Sequence, residues 1–174
     1  ITDFFNTMEQ EVYGRDFAND NASFRQHLDT KTFLKNLLIR EFCGNTDTYW
    51  STYMYKQRNN DTLYTGPIWD YDLSFENDNR TYPINNLTDF IYRTNGSAAG
   101  NMRTFVDNVL ASNASKRELY NYWNGVRSEK LTQQSMISLV DSLATLLDSS
   151  QKLNFIRWPI LNTHVHQNPV IWGS

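Results

Sequence analysis

The strongest constraint on this chain lies between Asp29 and Asn45. Phe33, Leu34, Leu37, Leu38 and Phe42 recur three and four residues apart, so one side of a helix is apolar along the whole run. Asp29 stands where an N-cap accepts a backbone N–H, and Gly44 with Asn45 stands where a chain leaves a helix through the left-handed region. The pattern predicts a helix with fixed ends whose stripe needs a covering partner. It also means that Asn45, Thr46 and Asp47 leave a rigid helix end on a short loop, which holds a functional side chain in a fixed place.

Residues 53–56 and 63–68 are short aromatic and aliphatic runs on either side of Asn59, Asn60 and Asp61, the pattern of a β-hairpin. Pro67 cannot donate a ladder hydrogen bond, so the second strand is predicted to end there. Trp69, Asp70, Tyr71 and Asp72 then lie on its exit. Three carboxylates, from Asp47, Asp70 and Asp72, therefore come from separate loops that could converge on one pocket. Asp70 and Asp72 are two apart and would share a side of a regular strand.

Such acids suit phosphoryl transfer, which needs metal-bound phosphates and an acceptor oxygen held in line more than covalent help. Magnesium takes one or two carboxylates together with phosphates and water. The same residues also suit local structural work, with Asp47 capping a turn and Asp70 or Asp72 capping a helix that starts near Leu73.

The rest of the chain reads as helical. Ile1, Phe4, Phe5, Met8, Val12 and Tyr13 predict an amphipathic first helix stopped by Gly14, and residues 15–28 a loop. Residues 75–83 read as an exposed polar loop, Leu87, Phe90 and Ile91 as a short helix, and Gly96 to Gly100 as a flexible break. Met102, Phe105, Val106, Val109 and Leu110 predict one further helix, and Leu119, Tyr122, Trp123 and Val126 another. A long amphipathic helix is expected from Thr132 to Leu147, and, after Pro159, extended chain over His164 to Pro169. The expected fold class is mainly α with a small β-hairpin, and the 174 residues, 40% hydrophobic, supply one core and one domain.

The remaining features exclude more than they assign. A net charge of −3 and a pI near 5.6 give no whole-chain attraction to nucleic acid. A single cysteine, Cys43, forbids an internal disulfide and reads as a small core residue. His164 and His166 alternate but have no third ligand nearby in sequence, and no serine stands in a nucleophile-elbow context. The five tryptophans could form a carbohydrate platform, although most are expected in the core. Lys116, Arg117, Arg127 and Lys130 read as a solvated helical face, and six Asn-x-Ser/Thr sequons match the frequency of those residue types. No stretch is apolar enough to cross a membrane. Ile1 opens inside a helical pattern and Ser174 stops where another helix could start, so the chain is expected to be a piece of a larger domain.

Gly44-Asn45-Thr46-Asp47, then Thr52-Tyr53-Met54-Tyr55-Lys56, then the run from Gly66 through Trp69-Asp70-Tyr71-Asp72 to Phe75 resemble the CotH (spore coat protein H) kinase family. Residues 23–33, Trp123 to Arg127 and Asn154 to Pro159 also resemble family stretches. The resemblance implies the C-terminal lobe of an atypical protein-kinase-like fold. It implies a full-length protein that uses ATP with magnesium or manganese to phosphorylate Ser or Thr of coat, envelope or secreted proteins. It further implies that Asp47 orients the acceptor hydroxyl and that Asp70 binds the metal, with Asp72 a second candidate. Its envelope or extracellular setting is likewise only implied.

Two departures are visible. Thr52 stands where many family members carry Asn, a second metal ligand by resemblance, and its neutral hydroxyl is a shorter and poorer ligand. The nucleotide-clamping Lys and its Glu partner would lie in an N-terminal lobe upstream of Ile1, so this stretch alone is expected to be inactive. The rivals are a non-catalytic surface module that keeps the fold, and a metal-dependent hydrolase, which lacks a water-activating base in the central block.

Overall fold

The computed structural model describes residues 1–49, 51–79, 90–94, 102–165 and 168. Six α-helices and one two-stranded antiparallel hairpin are found among them, so the architecture is mainly α with a small β component, as expected. The helices are α1 (Thr2–Val12), α2 (Thr30–Cys43), α3 (Ile91–Thr94), α4 (Arg103–Val109), α5 (Asn113–Glu129) and α6 (Gln133–Arg157); the strands are β1 (Met54–Lys56) and β2 (Leu63–Thr65).

Helix α2 is the central element. The Asp29 carboxylate accepts from the Thr32 N–H at 2.6 Å, and Gly44 ends the helix at φ 66, a conformation that penalises any side chain. Phe33, Leu34 and Leu37 are buried against a core that includes Phe24, Leu28, Leu63, Tyr92, Phe105, Val106 and Val109. The opposite flank of α2 carries α5, held at its start by Arg25, which donates to Ser115 at 2.9 Å and pairs with Glu118.

The sequence placed residues 15–28 in a loop, but their end is part of the core. Phe24 is fully buried in a 3-10 turn over Ser23–Gln26. Leu28 then runs parallel beside Leu63, with the Leu63 N–H donating to the His27 carbonyl at 2.7 Å and the Asp29 N–H to the Leu63 carbonyl at 2.9 Å. The outer edge of β2 is thereby paired, which a lone two-stranded hairpin would leave open.

Strand β2 stops at Thr65, before the expected end at Pro67. Gly66 turns away at φ 133, its N–H still donating to the Tyr53 carbonyl at 2.9 Å. The polar run from Phe75 is not uniformly exposed: Asp78 is fully buried. Residues 80–89 and 95–101, which include Leu87 and the glycine break, lie outside the described residues, as do Trp50, His166 and Trp172.

Helix α6 extends ten residues beyond the expected Leu147, carried by an Asp148–Lys152 pair at 2.7 Å one turn apart and released only before Pro159. None of its residues is buried, and Val140, Leu146, Leu153 and Ile156 are more than half exposed. After Pro159 the chain first turns, with Asn162 at φ 64 and the Thr163 N–H returning to the Ile160 carbonyl; of the stretch expected to be extended, His166, Gln167 and Pro169 lie outside the described residues. No helix among the described residues is long and apolar enough to cross a membrane.

The tryptophans were expected mainly in the core, and the described ones are not there. Trp69 and Trp158 are about half exposed, Trp69 edge-on to Tyr53 and Trp158 beneath Arg157, while Trp123 is half-buried against Phe42. Trp158 ends α6, Trp69 lies on the hairpin exit and Trp123 lies within α5, so each keeps part of its ring at the surface.

Candidate functional site

The site forms where the C-terminal end of α2 meets the exit of the hairpin. After Gly44 the chain buries Asn45 and Thr46 completely and enters a 3-10 turn over Asp47–Tyr49, leaving Asp47 half-buried at its start. Beyond the hairpin, Asp70 and Asp72 are exposed, with Asp70 at φ 56 in the left-handed region. Aspartate tolerates that conformation better than most residues, and there the backbone turns in place of continuing a strand.

The two loops are tied together by the main chain. The Asn45 side-chain amide donates to the Asp70 carbonyl at 3.1 Å, and the Phe75 N–H donates to the Cys43 carbonyl at 2.6 Å. The Thr46 hydroxyl donates to the fully buried Asp78 at 3.2 Å, and Asn77 donates to the Asp72 carbonyl at 2.9 Å. Asp70 and Asp72 therefore cap no helix near Leu73, where the chain makes only turns.

The electrostatics locate the three carboxyls relative to one another. The Asp70 pKa is raised, first by the charge of Asp72, then by partial desolvation, by a hydrogen bond with Asp72, and by the charge of Asp47. Asp70 and Asp72 thus interact directly, and Asp47 is near enough for its charge to act on Asp70. Crowded like charges of this kind are relieved by a proton or by a cation.

The donor set can be tested against a divalent ion. Among the described residues no three His, Cys, Asp or Glu side chains are grouped closely enough to hold a metal by themselves. Two interacting carboxylates fit magnesium or manganese when phosphate oxygens and water complete the shell, which is the usual way such ions bind with nucleotides. Thr52 is otherwise engaged: its hydroxyl accepts from the Arg40 guanidinium.

Several residues that shape the site escaped the sequence reading. Arg40 is 3% exposed and faces Tyr49, with its guanidinium carbon 5.6 Å from the ring centre. Glu41 accepts from the Tyr49 hydroxyl and from the N–H groups of Ile91 and Tyr92. Burial, then Glu41, drives the Tyr49 pKa well above its ordinary value, so the phenol stays a donor. The signal for Arg40 was present, because it and Asn36 lie seven and three residues after Phe33 on the buried side of α2.

Other sequence candidates stay apart from this site. Cys43 is half-buried and burial raises its thiol pKa, which fits an unreactive packing role. His164 is exposed, and Lys116, Arg117, Arg127 and Lys130 are solvated, Arg117 pairing with Asp20 at 3.0 Å. A groove of about 870 Å³, lined by Phe42, Pro67, Ile68, Tyr122, Val126 and Leu139 among others, runs beside the acid loop between α2, α5 and α6.

Comparison with known proteins adds one finding. Neither the curated proteins nor the solved structures gave a significant match to the chain. A family model described as CotH kinase protein matches residues 1–170, nearly the whole chain, and the chain therefore belongs to the CotH kinase protein family.

Proposed function

We propose that this chain supplies the acceptor-positioning and metal-binding half of a phosphotransferase site, which in the full-length protein moves phosphate from ATP to Ser or Thr of a coat, envelope or secreted protein. Membership of the family supports a kinase-like function at that level. The observation that carries the finer reading is the bond from the Asn45 side chain, two residues before Asp47, to the Asp70 carbonyl, which brings the loop of Asp47 against the loop of the interacting pair Asp70 and Asp72.

In this reading Asp47 accepts a hydrogen bond from the incoming hydroxyl and takes its proton as the new phosphate ester forms. Asp70 and Asp72 hold magnesium or manganese, which when bound neutralises and orients the phosphates of ATP. Asn45 holds the Asp70 carbonyl, and Asp70 stands in a left-handed turn of the loop it shares with Asp72. Asp47 thus follows closely on a helix end, which limits its wander.

A second reading, a binding module that retains the fold without catalysis, is favoured by one observation. The Thr52 hydroxyl is taken by Arg40 and is not left free beside the acids.

The experiment that separates the two uses full-length protein with labelled ATP and manganese, comparing wild type, Asp47→Ala and Asp70→Ala. Transfer is expected in wild type only, while manganese binding, followed by electron paramagnetic resonance, should survive Asp47→Ala and be lost in Asp70→Ala. A wild-type protein that neither transfers phosphate nor binds nucleotide rules the enzyme reading out.

A further inference from the structure

Arg40 is the strangest buried residue of the chain. It lies in the last turn of α2 with 3% of its surface exposed, and its Nε is buried without a hydrogen-bond partner. Enclosing a guanidinium is expensive, and where a buried charged group serves only to fill space, a well-packed apolar side chain does as well or better. The contacts of Arg40 indicate what it gains instead.

Its Nη2 donates to the Thr52 hydroxyl, at the far end of the loop that begins with Asp47. The Tyr71 side chain, between Asp70 and Asp72 in sequence, lies near enough to interact with the same guanidinium. It also lies over the ring of Tyr49, the last residue of the Asp47 turn. One rigid planar group therefore touches both loops that carry the acids, and it reaches them from a helix whose ends are already fixed. Lysine offers a point charge on a flexible stem and cannot bridge in the same way.

We propose that Arg40 is a positioning residue that couples the Asp47 loop to the Asp70–Asp72 loop, so that loosening either loop at Arg40 loosens the other. The catalytic consequence rests on the phosphotransferase reading; the coupling itself does not. Thr52 acquires a role on the same grounds, as the acceptor that ties the first loop to Arg40.

The test is hydrogen exchange on the full-length protein, read in peptides covering 45–52 and 70–75, with a peptide from α4 as control. These peptides contain hydrogen-bonded reporter amides, Ser51 to the Asp47 carbonyl at 3.0 Å and Ser74 to the Tyr71 carbonyl at 3.2 Å. Arg40→Lys, which keeps the charge and is the safer folder, and Arg40→Met should each speed exchange about tenfold in both loop peptides and less than twofold in α4. Thr52→Val should loosen mainly the first loop and Tyr71→Phe mainly the second. Faster exchange in one loop only after Arg40→Lys, or an equal rise in α4, overturns the proposal. In the phosphate-transfer assay Arg40→Lys should lower kcat about tenfold with KM for ATP within threefold. If wild type transfers nothing, the functional reading falls, and the exchange data still decide whether Arg40 couples the loops.

Discussion

Replacing Glu41 by alanine is the sharpest way to ask whether the site is held by a polar network or only by apolar packing. The carboxylate accepts the Tyr49 hydroxyl together with the N–H groups of Ile91 and Tyr92, and so joins the Asp47 turn to the start of α3. Tyr49 is 6% exposed and Ile91 fully buried, so water cannot freely replace the lost acceptor. Each stranded buried donor costs about 1–3 kcal/mol, which for the Tyr49 hydroxyl and the Ile91 N–H together gives about 2–6 kcal/mol. In a chain of this size that lowers Tm by roughly 10 °C. Glu41→Gln should also destabilise, by about 1–3 kcal/mol, because its NH₂ group would meet a donor where an oxygen had accepted. Urea unfolding read by circular dichroism measures both losses. A Glu41→Ala protein within about 0.5 kcal/mol of wild type would refute the network and leave hydrophobic contact as the support of the turn.

Two further outcomes follow from the same structure. Asp70 is held above its ordinary range chiefly by Asp72, so the folded chain keeps that proton more tightly than the unfolded one. Its contribution to stability is therefore present at pH below the ordinary carboxylate range and is lost as pH rises through the raised value. Asp72→Asn should move the Asp70 midpoint down and flatten that fall, observed by carboxyl NMR titration; an unchanged midpoint would mean the two groups do not interact. Separately, Leu37→Ala should cost about 2–5 kcal/mol because Leu37 is 2% exposed, whereas Leu146→Ala, at 74% exposed, should cost less than about 0.5 kcal/mol. Equal losses in denaturant unfolding would show that α6 is packed after all.

The helices and the hairpin were legible because each rests on local rules. The Asp29 cap, the Gly44 stop and the stripe from Phe33 to Phe42 are short-range statements about one element. The wording from Gly44 to Phe75 led to the family that the match over residues 1–170 then showed. What sequence could not give was the set of contacts between segments far apart in the chain, such as Arg25 with Glu118 or Leu28 with Leu63. The buried polar residues were missed for a related reason: hydrophobic periodicity scores Asn36 and Arg40 as interruptions of an apolar side, although their positions place them squarely on it. The bare side of α6 could not be anticipated either, since its leucines follow the same spacing whether or not anything covers them.

Helix α2 is fastened at both ends: its N-terminal cap residue, Asp29, is bonded to β2, and the Cys43 carbonyl in its last turn is bonded to the acid loop. Its 14 residues therefore act as a gauge, setting a separation of about 21 Å and a fixed rotational phase between the two fastenings. A point substitution on α2 can alter what the helix touches and leave that phase intact. A single-residue insertion or deletion between Phe33 and Arg40 cannot, because it would swing everything after it by about 100° and shift it by about 1.5 Å. Arg40 would then point away from Thr52 and Tyr71 while the hairpin stayed where it was. The length of this helix, rather than the identity of most of its residues, is what the geometry of the acid site tolerates least.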